Sequence, residues 1–445
     1  MENKLQISVS GIRGIYPQSL TSDVVFTFGV VFGSYVNTKK VFVCRDTRAS
    51  GDSLKNSMIT GLLCTGRDVV DLGIAPTPEV GYIIEKIEPA SGIVITASHN
   101  PQEYNGIKFF SDRGTFLNDI EGKRLLEIYR KKSFNVAKEP GSLSLKDYTE
   151  SYFEGIYRAA DVESIKRRKF RVVVDVCQGV GAFFSRRFLE GMGCDVIAIN
   201  TEPPGVFSHC PEPLPENLGE LSRAVTAEKA DIGFAQDPDC DRLATVAEDG
   251  SIPGEEMTVA LAVKNILEKK RGPVVVNLST TSLVDEIAQE FGAEVFRSRI
   301  GEVNVVEKMK ENSAVVGGEG NGGVIFPDIH YGRDSFVGMS LILEYLARTG
   351  ERFSEVAGKL PKFFMLKKKI SVPEERKNRA MEELKLKCAK TSEKVNLEDG
   401  IKIIRPDGWI HIRPSGTEPV TRIYVEARSR ETAERYMSEF MGCFS

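Results

Sequence analysis

At 445 residues the chain is too long for a single hydrophobic core and divides into several domains. Its 41% hydrophobic and 27% charged content is that of a soluble globular protein. A net charge of -4, with no basic stripe interleaved with aromatics, leaves no footprint for nucleic acid.

The most apolar early stretch, residues 24–36, is broken by Thr27, Gly29, Gly33 and Ser34. It is shorter than the roughly 20 residues of a membrane-spanning helix. Met1-Glu2-Asn3-Lys4 precedes no apolar signal core, so the expectation is a cytoplasmic protein without a membrane partner. Eight cysteines lie scattered without a Cys-x-x-Cys pair, which argues against a zinc site or a disulfide framework. The four histidines, His99, His209, His330 and His411, are too dispersed to announce a metal site.

The first segment alternates strands and helices. A strand over 5–9 ends in Ser10-Gly11-Ile12-Arg13-Gly14. The next helix has Thr21 or Ser22 as its N-cap, with Val24, Val25, Phe28, Val31 and Phe32 along one face. A strand over 40–44 empties into Arg45-Asp46-Thr47-Arg48, a helix starts at Ser50-Gly51-Asp52, a strand covers 68–72, and Pro78 opens another helix. The run Ile93-Val94-Ile95-Thr96-Ala97-Ser98-His99-Asn100-Pro101 is an apolar β-branched strand stopping at small and polar residues. Ligands of α/β proteins sit at the carboxyl ends of strands. Ser98 is therefore expected at a cleft floor, beside His99 and Asn100. Asn105-Gly106 reads as a tight turn, and the strand over 107–110 leaves Lys108 opposite its apolar neighbours.

A turn-rich break, Lys138-Glu139-Pro140-Gly141-Ser142, precedes a helical run over 145–160 and ends the first unit, 1–145. The second, 146–249, carries strands over 171–175, 196–199 and 230–235. The third, 250–359, repeats the plan with strands over 274–277, 294–297 and 315–316 and a helix over 282–291. From 360 the character changes to a strand over 363–370, a helix over 374–388, and short strands with turns: a small α+β domain over 360–445. The fold class is α/β, with three related units although no sequence repeat is obvious.

Asp237-Pro238-Asp239-Cys240-Asp241-Arg242 follows a strand directly. In an extended loop, residues at i, i+2 and i+4 project to one side, so three carboxylates converge. Three hard oxygen ligands suit Mg²⁺; unpaired, they would repel strongly. An EF-hand is rejected, because Arg242 occupies the sixth position, where that loop needs Gly, and 243–246 continue as a strand. Gly317-Gly318-Glu319-Gly320-Asn321-Gly322-Gly323 lacks the Lys-Ser/Thr of a nucleotide loop and the spacing of a dinucleotide site. It is either a structural turn or a loop whose Glu319 accepts from sugar hydroxyls. Arg413-Pro414-Ser415-Gly416-Thr417-Glu418-Pro419 holds a guanidinium, two hydroxyls and exposed backbone N–H groups, an inventory for a phosphate. Arg422 adds a further charge. Arg13, Arg45 and Arg48 sit on loops after strands, where they are either solvated charges or a positive site near Ser98.

These motifs, in this order, resemble the α-D-phosphohexomutases: phosphoglucomutase, phosphomannomutase and phosphoglucosamine mutase. Ser10-Gly11-Ile12-Arg13-Gly14, Arg45-Asp46-Thr47-Arg48 and Pro211-Glu212-Pro213-Leu214-Pro215-Glu216-Asn217-Leu218 add to the resemblance, which spans essentially the whole chain. It implies four domains around one cleft, each lending one loop. It implies that Ser98 carries a phosphoryl group, with Mg²⁺ held by Asp237, Asp239, Asp241 and a phosphoserine oxygen of Ser98. The phosphoryl passes to a hexose monophosphate, and the resulting hexose 1,6-bisphosphate, bound intermediate and activator, turns over and returns its other phosphate. Arg413, Ser415, Gly416, Thr417 and Arg422 would grip the phosphate not being transferred. Glu319 and Asn321 would read the sugar, and Arg13 and Arg242 would flank the reacting phosphate. Lys108 and His99 are candidates for proton transfer or for positioning.

One departure stands out. Many relatives place Ser-Gly-His after the sugar-loop Glu, whereas this chain has Asn321-Gly322-Gly323; His330, in the same loop region, is the candidate to compensate. The expected partners are small hexose phosphates, with glucosamine phosphate as the expected substrate and glucose or mannose phosphates as alternatives, in a monomer or homodimer. A serine- and metal-dependent phosphatase and a non-catalytic sugar-phosphate sensor are the competing readings. The phosphatase would not need a second phosphate grip some 300 residues from Ser98, and only the mutase reading uses all four loops.

Overall fold

The computed structural model describes residues 5–8, 11–202, 204–372, 374–388, 393–414 and 420–441. Among them no helix is long and apolar enough to cross a membrane. The described residues form four sheets.

The first sheet has seven strands, in the spatial order Gln6–Ser8, Gly11–Ile15, Tyr104–Phe110, Ser91–Ile95, Lys40–Arg45, Asp68–Ile74 and Leu143–Leu145. Its inner strands are parallel and buried, whereas Tyr104–Phe110 pairs antiparallel with Ser91–Ile95. The second sheet runs Leu243–Ala247, Ile232–Gln236, Arg171–Asp175, Asp195–Ile199; the third runs Gly323–Ile325, Val316–Glu319, Val274–Asn277, Val295–Ser298. In both, the first-named pair is antiparallel and the others are parallel. The three units therefore share a plan invisible as a sequence repeat: parallel strands with an antiparallel hairpin beside them, which the first sheet extends by two further antiparallel strands. The Ser98 loop, the aspartate loop and the Glu319 loop each occupy that hairpin's turn. The fourth sheet is wholly antiparallel, in the order Phe364–Ser371, Val420–Ala427, Gly408–Pro414, Ile401–Arg405, Lys394–Asn396, and helices Glu374–Cys388 and Arg430–Met441 accompany it.

Local chemistry explains most element boundaries. Thr21 caps helix Ser22–Tyr35, its side chain accepting from Val24 N. Asn118 and Glu121 make a reciprocal capping box for helix Asp119–Lys131. Asn105-Gly106 departs from expectation: both residues lie inside strand Tyr104–Phe110. Gly106 is there because a Cβ would meet the Ile12 carbonyl oxygen at 2.6 Å and that of Thr96 at 2.7 Å, so it marks a close backbone approach rather than a turn. The helical run expected over 145–160 begins later, at Thr149–Ala159, because Leu143–Leu145 adds a parallel edge strand to the first sheet.

Packing separates the units unequally. One continuous apolar core runs from Tyr152 and Phe153 through Phe188 and Val259 to Phe336 and Leu360, joining the second and third units. The fourth unit has its own core, around Leu384, Ile410, Ile423 and Phe440. It meets the third largely through polar contacts. The His411 Nδ1–Ser279 Oγ pair is 2.7 Å apart, Ser282 N donates to Glu426 Oε1 at 2.8 Å, and Ile300 N donates to Asp399 Oδ2 at 2.9 Å. Lys402 Nζ donates to the Leu278 carbonyl and lies 4.3 Å from the centre of the Trp409 ring.

His411 makes this seam sensitive to acid. Burial, with Lys402 and Arg413 nearby, pushes it down to about 4 against the opposing hydrogen bond to the Asp399 carbonyl. An imidazole kept neutral by folding contributes stability that is whole above its unfolded value of about 6.5 and is lost as pH falls from there towards 4. The stability of the fourth unit is expected to drop by up to about 3 kcal/mol across that window. Thermal unfolding of His411→Gln at pH 7 and pH 4.5 checks this: the pH dependence should shrink relative to the parent protein.

Candidate active site

Strand Ser91–Ile95 is buried at every position, and the chain leaves it through Thr96, Ala97 and Ser98. Ser98 has φ 49°, a left-handed conformation that a non-glycine residue keeps only when its surroundings impose it. Arg48 imposes it. Its guanidinium donates from Nη2 to the Ser98 and Asn100 carbonyls, both at 2.7 Å. From Nη1 it donates to the Pro101 carbonyl at 2.6 Å and that of Tyr104 at 2.9 Å. Its Nε donates to Asp46 Oδ2 at 3.0 Å, an oxygen that also accepts from Thr96 Oγ1 at 2.7 Å. Thr96 Oγ1 then accepts from Ser98 N at 2.9 Å. Only a planar five-donor fork can hold four carbonyls and a carboxylate together. Arg48 is thus the buried frame of this loop and not part of a positive site. Arg45 is occupied as well, bidentate on Asp52 at 2.8 Å.

The Ser98 hydroxyl donates to Asp237 Oδ2 at 2.7 Å. Asp237, Asp239 and Asp241 are fully buried, and one oxygen of each lies within 4.8 Å of the others. They converge through a turn and not through the extended spacing expected. Cys240 has φ 62°, and Asp237 Oδ1 accepts from the backbone N–H of Asp241 and Arg242 at 3.1 Å each. Burial, then Asp241 and Asp239, push the Asp237 carboxyl well above the ordinary carboxylate range. Asp241 moves the other way: burial would raise it, but Arg333, Lys108 and Arg242 prevail and hold it low.

Three neighbours secure the Oδ2 atoms. Lys108 Nζ donates to Asp239 at 2.7 Å and to Asp241 at 3.1 Å; Thr77 Oγ1 donates to Asp239 and Arg333 Nη2 to Asp241, both at 2.7 Å. Asp239 Oδ1 and Asp241 Oδ1 are left buried with no hydrogen-bond partner among the described residues. Orphaned carboxylate oxygens cost free energy unless a cation takes them. This all-oxygen set beside a serine hydroxyl fits a hard divalent ion.

Above this floor lies a cleft of about 990 Å³ lined by all four units, Arg13, His99, Arg242, Glu319, Asn321, Arg413 and Arg422 among its residues. His99 Nδ1 is 3.4 Å from Ser98 Oγ, and its Nε2 is 3.7 Å from Glu212 Oε1. Burial, then the guanidinium groups of Arg242 and Arg13, hold it well below the usual histidine value, which favours the neutral ring. Lys108 is the opposite. Burial works against its charge, yet Asp239 and Asp241 more than offset this and raise it above the usual lysine range, so it holds its proton and stays charged. Glu319 Oε1 accepts from Asn277 Nδ2 at 2.9 Å and from Gly301 N at 2.8 Å, and Oε2 accepts from Arg333 Nη1 at 2.7 Å. Burial opposes its ionisation, but Arg333 and these hydrogen bonds lower it.

In the fourth unit, Lys369, Arg422 and Arg413 are in direct register across three adjacent strands. Like charges directly opposite one another are unfavourable, so this cationic row is suited to an anion. Arg413 Nε is steadied by Asp399 Oδ1 at 2.8 Å. Ser415, Gly416 and Thr417 lie outside the described residues.

The structure does not bring His330 to the cleft. It is 1% exposed, its Nε2 hydrogen-bonds Asp334 Oδ2 at 2.9 Å, and its ring packs edge-on against Tyr82. The strand Gly323–Ile325 and the helix starting at Ser335 turn it inward, and Arg333, three residues on, reaches the cleft instead. Sequence reading also passed over Thr77, Glu302 and Lys369. Thr77 could have been found as a hydroxyl between two prolines at a strand end, and Lys369 from the lysine run Lys367-Lys368-Lys369 in an expected strand. Glu302, just after a glycine, carried no distinguishing signal.

Four domain profiles of one family match in succession. Those described as phosphoglucomutase/phosphomannomutase alpha/beta/alpha domains I, II and III match residues 4–136, 150–250 and 254–364, and its C-terminal domain matches 368–442. A phosphoglucomutase/phosphomannomutase of Thermococcus kodakarensis is 40% identical over 436 residues, covering 96% of this chain and 95% of that protein. A probable phosphoglucosamine mutase of Methanopyrus kandleri is 36% identical, covering 97% and 96%. Among solved structures, a phosphoglucomutase/phosphomannomutase family protein of Burkholderia thailandensis superposes with TM-score 0.87 at 30% identity, covering 98% of this chain and 96% of that one. Fold and relatives together define a phosphosugar-isomerising enzyme of the mutase type. The chain belongs to the phosphoglucomutase/phosphomannomutase family, the α-D-phosphohexomutases.

Replacing Arg48 by Met is expected to cost about 3–5 kcal/mol, the range for stranding a buried charge partner, here Asp46. The midpoint of the first urea unfolding transition should fall accordingly, and Arg48→Lys should recover only part of the loss.

Proposed function

We propose that this phosphohexomutase interconverts the 6- and 1-phosphates of glucosamine through phosphorylated Ser98. The observation that carries the catalytic part is the Ser98 hydroxyl, 2.7 Å from Asp237 in a buried acid triad at the floor of the cleft. The P–O bond to Ser98 Oγ breaks as a new one forms to the free sugar hydroxyl, whose proton passes to a base; the candidate is His99, whose Nδ1 is 3.4 Å from Ser98 Oγ. The sugar bisphosphate then turns over, its other phosphoryl group is transferred back to Ser98, and a proton is returned to the departing sugar oxygen. Lys108 and Arg242 offset charge as it builds on the transferring group, the main source of rate in such reactions. Asp237, Asp239, Asp241 and a phosphoserine oxygen would hold Mg²⁺, which supplies Lewis-acid stabilisation of that charge. The row Lys369, Arg422 and Arg413, with Ser415, Gly416 and Thr417, takes the phosphate that is not moving. Arg13 lines the same cleft.

The amino-sugar assignment is supported by the ionised Glu319, which can accept from an ammonium as well as from a hydroxyl, and by the Asn321-Gly322-Gly323 turn. A second reading, broad specificity over glucose and mannose phosphates, is favoured by the name of the 40% identical relative.

The deciding experiment assays glucosamine, glucose and mannose 1-phosphates with Mg²⁺ and a trace of the matching 1,6-bisphosphate. Turnover should be fastest with glucosamine phosphate; faster turnover of glucose or mannose phosphate overturns the substrate assignment. Ser98→Ala is expected to lower kcat by at least about 10³-fold, as loss of a nucleophile does. Activity equal to the parent's would sink the mechanism, and release of inorganic phosphate in place of isomerisation would identify a phosphatase. Chelation with EDTA should abolish turnover, and added Mg²⁺ should restore it.

A further inference from the structure

Among the described residues, Arg333 is the one side chain that touches both the aspartate loop and the Glu319 loop through charged groups. Its Nη2 donates to Asp241 Oδ2 at 2.7 Å, its Nη1 to Glu319 Oε2 at 2.7 Å, and its Nε to Glu302 Oε2 at 2.9 Å. These three bonds use one N–H on each nitrogen of the fork, and the side chain, 10% exposed, remains part of the cleft wall. The guanidinium is itself fixed. Gly323 allows it to lie against the hairpin, since a Cβ there would meet Arg333 Cδ at 2.3 Å. Asp334, the next residue, caps helix Ser335–Thr349 and accepts from Tyr152 Oη at 2.6 Å.

A planar fork shared by two carboxylates cannot reorient on one without changing its bond to the other. Asp241 presents its orphaned Oδ1 on the floor while Arg333 and Lys108 hold its Oδ2. Glu319 presents its carboxylate to the cleft while Arg333 holds its Oε2.

We propose that Arg333 is a positioning residue that couples the metal loop to the sugar loop: one guanidinium sets the orientation of Asp241 and Glu319 together, so that cation binding and sugar recognition are energetically linked. The proposal rests on the reading of Asp237, Asp239 and Asp241 as the cation site. It gives the Asn321-Gly322-Gly323 departure a physical meaning. The small turn leaves space along the hairpin, and an arginine from the following loop fills it and makes a charged link to the aspartates.

Binding linkage tests this without reference to turnover. Mg²⁺ affinity is measured by titration calorimetry on the full chain in four forms: parent, Glu319→Gln, Arg333→Met, and the double variant. Glu319 does not contact the cation site directly, so it reaches the site through Arg333. The factor by which Glu319→Gln changes the Mg²⁺ Kd should differ by about 5-fold or more between the parent and Arg333→Met backgrounds, the scale of a real coupling. Factors that agree within about 2-fold mean independent sites and overturn the proposal. Arg333→Lys keeps the charge but not the fork, and should also lose the coupling; coupling retained by Arg333→Lys overturns the claim that one fork does the linking. Thermal unfolding identifies any misfolded variant, and in that case Glu302→Gln replaces Arg333→Met in the cycle, because it loosens the fork at Nε. A parent protein that binds no Mg²⁺ overturns the cation-site reading itself, an outcome distinct from additive factors in a protein that does bind.

Discussion

Three carboxylates buried within 4.8 Å of one another are the constraint around which the molecule is arranged. In low dielectric their mutual repulsion is severe, and the aspartate loop relieves it only in part from its own unit, through Arg242 and two backbone N–H groups. The rest comes from both sides. The first unit sends Thr77, Lys108 and the Ser98 hydroxyl, and the third sends Arg333. The acid cluster thereby works as a tie between domains: three separate units dock where their donors find these oxygens. What remains without a hydrogen bond after docking, one oxygen on each of Asp239 and Asp241, is available to a cation because the opposite oxygen of each carboxylate is already held. Such outer contacts are what orient the ligands of metal sites in general.

The three α/β units place their loops by the same device. Parallel strands bring the chain to one end of each sheet, and an antiparallel hairpin beside them turns there. A hairpin turn anchored by a buried strand is stiffer than a free loop, which suits residues whose spacing must hold across domain boundaries. Ser98 adds a second level of constraint, since its left-handed backbone is imposed by a guanidinium more than forty residues earlier in the chain.

Much of this was legible in the sequence, and the exceptions share a cause. Strand ends announced Ser98 and the aspartates, because a β-branched run followed by small polar residues has few other meanings, and residue order carried the family resemblance. The roles of Arg48 and Arg333 were not legible. Both look like surface charges in isolation, and both matter through contacts with residues distant in sequence. Gly106 was misread for a related reason: glycine permits a turn and also permits backbone crowding, and only the neighbouring strands decide between them. His330 was the natural candidate to replace an absent histidine, but chemistry of the right type three residues from the right place points inward once the hairpin and helix fix its direction.

The cationic row of the fourth unit differs in kind from the other three sites. Lys369, Arg422 and Arg413 sit side by side because three antiparallel strands are aligned residue to residue. Side chains alternate between faces along a strand, so displacement by one position sends the whole set to the other face. Anion recognition here is therefore written partly in the alignment of backbones. A single residue inserted into Val420–Ala427 ahead of Arg422 would erase it while leaving every charged side chain in the chain.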